Sequence, residues 1–112
     1  MNYIIGLVKI LESPRYKKIG KNIYVAECRV QLSQTRQDNK IIELIFWDKL
    51  AIDIMEYYQT NDYVIIEGYL VLQKEQISNL LKQNLKKAKI VISNVYPFLL
   101  TSNYFSQKNL RI

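Results

Sequence analysis

The sequence predicts a small all-β barrel of five strands with one short helix between the third and fourth. Three observations carry that expectation: apolar and polar residues alternate through 24–32 and 40–47, a helical spacing follows over 50–58, and another strand pattern begins at once at Tyr63. A chain of 112 residues, 49% of them apolar, can bury one core and is too short for two ordinary domains. Residues 1–100 are therefore expected to form the domain and 101–112 a short polar, basic tail.

The first strand, Tyr3 to Leu11, has Ile4, Val8 and Ile10 on one face and Ile5 and Leu7 on the other. Apolar residues on both faces imply cover on both sides, the barrel core on one and a second subunit on the other. Residues 13–21 read as a basic turn region punctuated by Pro14 and Gly20. Strand two, Ile23 to Leu32, turns Tyr24, Ala26, Cys28, Val30 and Leu32 one way and Glu27, Arg29 and Gln31 the other. Gln34 to Asn39 is polar and without period, hence a loop.

Strand three, Lys40 to Trp47, points Ile42, Leu44 and Phe46 to the core and Ile41, Glu43, Ile45 and Trp47 away from it. The helix is defined by Leu50, Ala51, Ile54, Tyr57 and Tyr58, with Asp48 at the N-cap and Asn61 as a left-handed cap in the closing segment 59–62. Strand four, Tyr63 to Leu72, turns Val64, Ile66, Gly68, Leu70 and Leu72 inward and Tyr63, Ile65, Glu67, Tyr69 and Val71 outward; strand five is Lys89 to Phe98. Residues 73–88 admit two readings. Ile77, Leu80, Leu81 and Leu85 could line a helix, or the segment could be a long β-hairpin arm. Three strands, a helix and two strands is the order of the oligonucleotide/oligosaccharide-binding barrel (OB-fold), whose helix plugs one end. A split α+β sheet also fits the pattern.

Net charge is +6 and the pI is near 9.4, which favours a polyanionic partner. The chain contains no histidine and one cysteine, which excludes a histidine triad or a Cys/His metal site. No Gly-rich phosphate loop occurs and the carboxylates show no acid/base spacing, so neither catalysis nor a cofactor is expected. A lysine- or carboxylate-based activity stays open. Apolar runs fall far short of a membrane span, and the first residues run straight into strand pattern rather than into a signal peptide. Cys28 reads as a small buried hydrophobe in a reducing compartment. The abundance of Ile, Lys, Asn and Tyr suggests an A+T-rich genome such as an organelle's or an endosymbiont's.

Single-strand binding needs a cationic groove and flat surfaces for bases. Trp47 is the first candidate platform and Tyr69 the second, with Tyr63 and Tyr16 weaker. Lys9, Arg29, Arg36, Lys40, Lys74, Lys82, Lys86 and Lys87 are candidate phosphate contacts, while Lys49 reads as an exposed first-turn residue. Against this, Ile41 and Ile45 beside Trp47, and Ile65 between Tyr63 and Tyr69, make an apolar outer surface of the kind that marks protein contacts.

Met1-Asn2 before the first strand, Pro14-Arg15, Val25-Ala26, the run Phe46-Trp47-Asp48-Lys49-Leu50-Ala51, Glu56-Tyr57 and the segment 64–70 together resemble the bacterial-type single-stranded DNA-binding protein family. Plastids and cyanobacteria also encode short members. The resemblance covers most of residues 1–98. It implies an OB-fold that binds single-stranded DNA with little sequence preference, works in replication, recombination or repair, and forms a homodimer or homotetramer. It also implies a setting in the plastid stroma or a bacterial cytoplasm, away from membranes. Among the family's stacking positions only Trp47 is aromatic here; Arg36, Ile41 and Glu75 stand at the others, and Asp48 replaces the usual Gly. The family's acidic C-terminal tip has no counterpart in Lys108-Asn109-Leu110-Arg111-Ile112. Two alternatives stand beside this reading, the first from these departures and the apolar outer face, the second because nothing in the sequence tests for a 2′-hydroxyl. One is a degenerate barrel acting as a protein-interaction subunit, like small primosomal relatives; the other is RNA binding through the same barrel.

Overall fold

The computed structural model of the chain describes residues 3–33, 40–76 and 84–101, excepting the side chains of 73–76 and 84–87. The elements are β1 (Tyr3–Ile10), β2 (Arg15–Ile19), β3 (Ile23–Leu32), β4 (Ile41–Trp47), α1 (Lys49–Tyr57), β5 (Tyr63–Gln76) and β6 (Asn84–Leu99). Their sheet order is β1-β5-β6-β4-β3-β2, and β3 also pairs with β1 from Val8↔Leu32 to Ile10↔Val30, which closes a five-stranded barrel. The β4–β6 seam is parallel over Glu43–Ile45 against Lys89–Val91; all other ladders are antiparallel. This is the expected OB-fold, with α1 between the third and fourth barrel strands.

Period-2 alternation fills the barrel as the sequence predicts. Val8 and Ile10, Ala26, Cys28 and Val30, Leu44 and Phe46, Val64 and Ile66, and Ile90 and Ile92 meet inside, and Ala51 and Ile54 of α1 plug one end. Truncating a side chain of this kind, such as Phe46 to Ala, costs about 3–5 kcal/mol. Cys28 lies within this core, where burial pushes its thiol up to about 12 and keeps it protonated. Gly68 sits where the β5–β6 register shifts; a Cβ there would stand 2.3 Å from the Val91 carbonyl oxygen, so only glycine lets the strands approach.

Several expectations change. The basic turn region contains β2, which pairs with β3 from Arg15↔Glu27 to Ile19↔Ile23; every β2 residue is exposed, so no apolar alternation betrayed the strand. Asp48 occupies the N-cap position but makes no side-chain cap, because its backbone (φ 52°, ψ −117°) aims the carboxylate away from the first turn. Asn61 is left-handed (φ 76°), yet the helix ends at Tyr57 with Tyr58 extended. Asn61 instead donates from its N–H to the Ile10 carbonyl (2.8 Å), fastening the turn to β1. The neighbouring Asp62 is buried, and its carboxylate accepts from the Gln59 N–H (2.8 Å) and from the Thr101 N–H (2.9 Å) and hydroxyl (3.0 Å).

β5 and β6 extend past the barrel and pair to Gln76↔Asn84, so residues 73–76 and 84–88 form the hairpin arm and not a helix. Ile77, Leu80 and Leu81 lie outside the described residues. Leu72, expected inward, is exposed, because β5 has left the barrel rim there. No helix among the described residues is long and apolar enough to cross a membrane.

Candidate nucleic-acid interface

Trp47 closes β4 on its outer face, directly opposite Val25 of β3, and is 42% exposed. Its position is fixed from the next residue: the Asp48 N–H donates to the Tyr24 carbonyl (2.8 Å), and the Asp48 carboxylate accepts from the Tyr24 N–H (3.3 Å). A base could stack on the exposed indole, an interaction worth about 1–3 kcal/mol.

At the other end of β4 a groove of about 530 Å³ is lined by Arg29, Leu32, Lys40, Ile41, Ile42, Glu43 and Ala88. Six steps along the strand separate Ile41 from Trp47, or about 20 Å. The groove and the platform thus stand at the two ends of β4. Lys40 is the groove's available cation, since Arg29 is ion-paired with Glu12.

Between those ends the outer face is neutralised by ion pairs. Arg29 donates to Glu12 from Nε (3.1 Å) and Nη2 (2.9 Å), and its backbone N–H reaches the same carboxylate (3.2 Å). Arg15 bridges Glu12 and Glu43, with Nη2 2.7 Å from the second. Lys89 pairs with Glu27 at 3.4 Å. The Arg29 side chain holds the Glu12 carboxyl below the usual carboxylate range. Glu43 is only 6% exposed, and Arg15 lies against it. Sequence reasoning passed over Glu12, Arg15, Glu27 and Lys89, since partners as distant as Glu12 and Arg29 carry no local signal.

The other candidates scatter. Tyr69 is exposed on β5, edge-on to Tyr3 at 5.0 Å, and belongs to the β1–β5 side of the barrel. Lys9 lies 5.9 Å over the Tyr63 ring at the far end of β5. Lys74 and Lys86 are directly opposite in the arm and Lys87 faces Gln73, so the backbone ladder gathers these lysines beyond the groove. Arg36 and Lys82 lie outside the described residues. Among the described residues no group of three His, Cys, Asp or Glu could hold a metal ion.

No family model matches the chain. It is 37% identical over 105 residues to the protein named "Putative single-stranded DNA-binding protein ycf41" of Trieres chinensis, covering 91% of this chain and 93% of that one. The chain belongs to the single-stranded DNA-binding protein family. Two solved structures share the family fold with it. The SSB domain of a Synechococcus sp. protein superposes with a TM-score of 0.68 at 22% identity, over 86% of this chain and 94% of that one. The second single-stranded DNA-binding protein of Mycobacterium smegmatis gives 0.67 at 16% identity, over 86% and 87%. The glycine usual in the family at position 48 suits the backbone found there, since φ 52° with ψ −117° is open to glycine and strained for aspartate.

Proposed function

We propose that the protein binds single-stranded DNA with little sequence preference, as a non-catalytic component of replication, recombination or repair in a plastid or a bacterial cytoplasm. The observation that carries this reading is the half-exposed Trp47 at one end of β4, with the groove lined by Arg29 and Lys40 at the other end. The resemblance to proteins named for the same ligand supports it. Bases stack on Trp47 and phosphates are held by Lys40 and by the arm lysines Lys74, Lys86 and Lys87, so affinity falls with salt. Trp47 is the chain's only tryptophan, which makes the test direct. Oligothymidylate should quench its fluorescence at low salt, and Trp47→Ala, followed by anisotropy of a labelled oligonucleotide, should bind about five- to one-hundredfold more weakly. Unchanged anisotropy titrations in the variant remove Trp47 from the mechanism, and no binding by the wild type removes the function.

A second observation favours self-association. Among the described residues, Tyr3 to Gly6 of β1 pair with β5 on one edge only, and the outer face there carries Ile5, 62% exposed, beside Tyr3, Tyr69 and Tyr96. Open edges and apolar faces of this kind are surfaces that a second copy covers. The chain is therefore at least a homodimer through β1, and light scattering at micromolar concentration should return a multiple of 13.3 kDa.

A further inference from the structure

Lys17, Lys18 and Lys21 of the β2–β3 hairpin have no role described so far, and the composition of the segment is one-sided. From Arg15 to Lys21 it carries Arg15, Lys17, Lys18 and Lys21 with no carboxylate. Arg15 is taken by Glu12 and Glu43; among the described residues no carboxylate pairs with Lys17, Lys18 or Lys21. The ladder sorts these lysines by face. Lys17 is opposite Val25, and Val25 is opposite Trp47, so Lys17, Val25 and Trp47 form one row on the outer surface. Val25 is 7% exposed although it stands apart from the core cluster, as expected of a residue covered from outside. Lys18 is opposite Tyr24, on the other face, with its Nζ 5.8 Å over the Tyr24 ring, against which Tyr16 stacks at 5.7 Å. Lys21 lies at the hairpin tip beside Gly20, whose φ of 70° makes the turn.

We infer that Lys17, continued by Lys21 at the tip, binds the phosphates flanking the base stacked on Trp47, so that the strand leaves β4 over the β2–β3 hairpin. The inference rests on the single-strand reading above and adds an exit path to it. Two strand spacings, about 10 Å, separate the Lys17 and Trp47 backbones. A lysine stem and the sugar between a stacked base and its phosphate span such a gap. The ion-paired Arg15 and Arg29 cannot serve in this way without leaving Glu12 and Glu43. Lys18 is the built-in control, carrying the same charge one residue away on the opposite face.

The experiment compares Lys17→Gln, Lys17→Gln with Lys21→Gln, and Lys18→Gln, each titrated with oligothymidylate across a salt series and read by Trp47 quenching. The expected result is a roughly three- to tenfold loss of affinity for Lys17→Gln and a shallower salt slope, by about 0.7 per phosphate contact removed, while Lys18→Gln keeps the wild-type slope. Equal slopes for Lys17→Gln and wild type, or equal losses for Lys17→Gln and Lys18→Gln, overturn the exit path and leave single-strand binding standing. A wild type that binds no oligonucleotide overturns both.

Discussion

Across β1, β5 and β6 the barrel's outer surface carries Tyr3, Ile5, Ile65, Tyr69 and Tyr96, while across β2, β3 and β4 it carries Arg15, Lys17, Glu27, Arg29 and the lone Trp47. On the first side the Glu67 carboxylate accepts from the hydroxyls of Tyr96 (2.7 Å) and Tyr3 (3.0 Å) and is held below its usual range by them. The second side sets Glu27 and Glu43, with Glu12 of the β1–β2 connection, against Arg15 and Arg29 and against Lys89 at the β4–β6 seam. The difference teaches that one alternating strand pattern can serve two ends. Both sides have the same core residues behind them, and only the outward positions separate a surface fit for another copy of the chain from one fit for a charged polymer.

Gly68 is where the two sides can be broken together, because β5 passes there from the apolar side toward the arm. Gly68→Ala should destabilise the fold by about 3 kcal/mol, since the new methyl group meets the Val91 carbonyl and not a movable side chain. Urea unfolding with an unchanged m-value would measure it. The next largest effect sharpens the contrast. Trp47→Ala should weaken oligonucleotide binding by about 1–3 kcal/mol at constant molecular mass. Ile5→Glu should lower the mass in solution and leave the fluorescence quench per chain in place. Should either variant change both readouts, the two sides are one surface.

A smaller effect concerns the junction at Asp48. Asp48→Gly should stabilise the protein by about 1 kcal/mol, because relief of the positive-φ strain outweighs the extra freedom of glycine in the unfolded chain and the loss of the long bond to the Tyr24 N–H. A higher urea midpoint would register it. The smallest lies in the ion-pair network. Glu12 titrates below its ordinary value of 4.5 in the folded chain, so its contribution to stability is complete above that value and disappears as pH falls through the lowered folded one. Glu12→Gln should flatten the acid limb of the stability profile. It should also raise oligonucleotide affinity slightly by releasing Arg29, which parallel binding curves near neutral pH would detect.

The barrel was legible in the sequence because burial imposes its period wherever one face of a strand meets the core. Val30, Leu44, Phe46 and Ile66 announced themselves in this way. β2 did not, since Arg15-Tyr16-Lys17-Lys18-Ile19 buries nothing and is a strand only through its backbone ladder with β3. Asp48 looked like a helix cap because residue type reports the chemistry of a cap and not the dihedral angles that aim it. Trp47 and its outward direction were readable from parity alone. The engagement of Arg29 was not, because Glu12 lies 17 positions earlier and reaches it only once β3 has folded back on the end of β1.

The seam between β4 and β6 bears on the order in which the chain is made. β6 supplies both the long antiparallel partner of β5 and the three-residue parallel pairing with β4, and it comes last in sequence among the described strands. A nascent chain that ends at β5 holds the Trp47 strand and the hairpin but lacks Ile90, the residue opposite Leu44 in the β4–β6 seam. Closure has to await β6 and join residues far apart along the chain, a slow kind of step. The candidate interface should therefore become competent only after translation has passed β6, in one late event and not piece by piece.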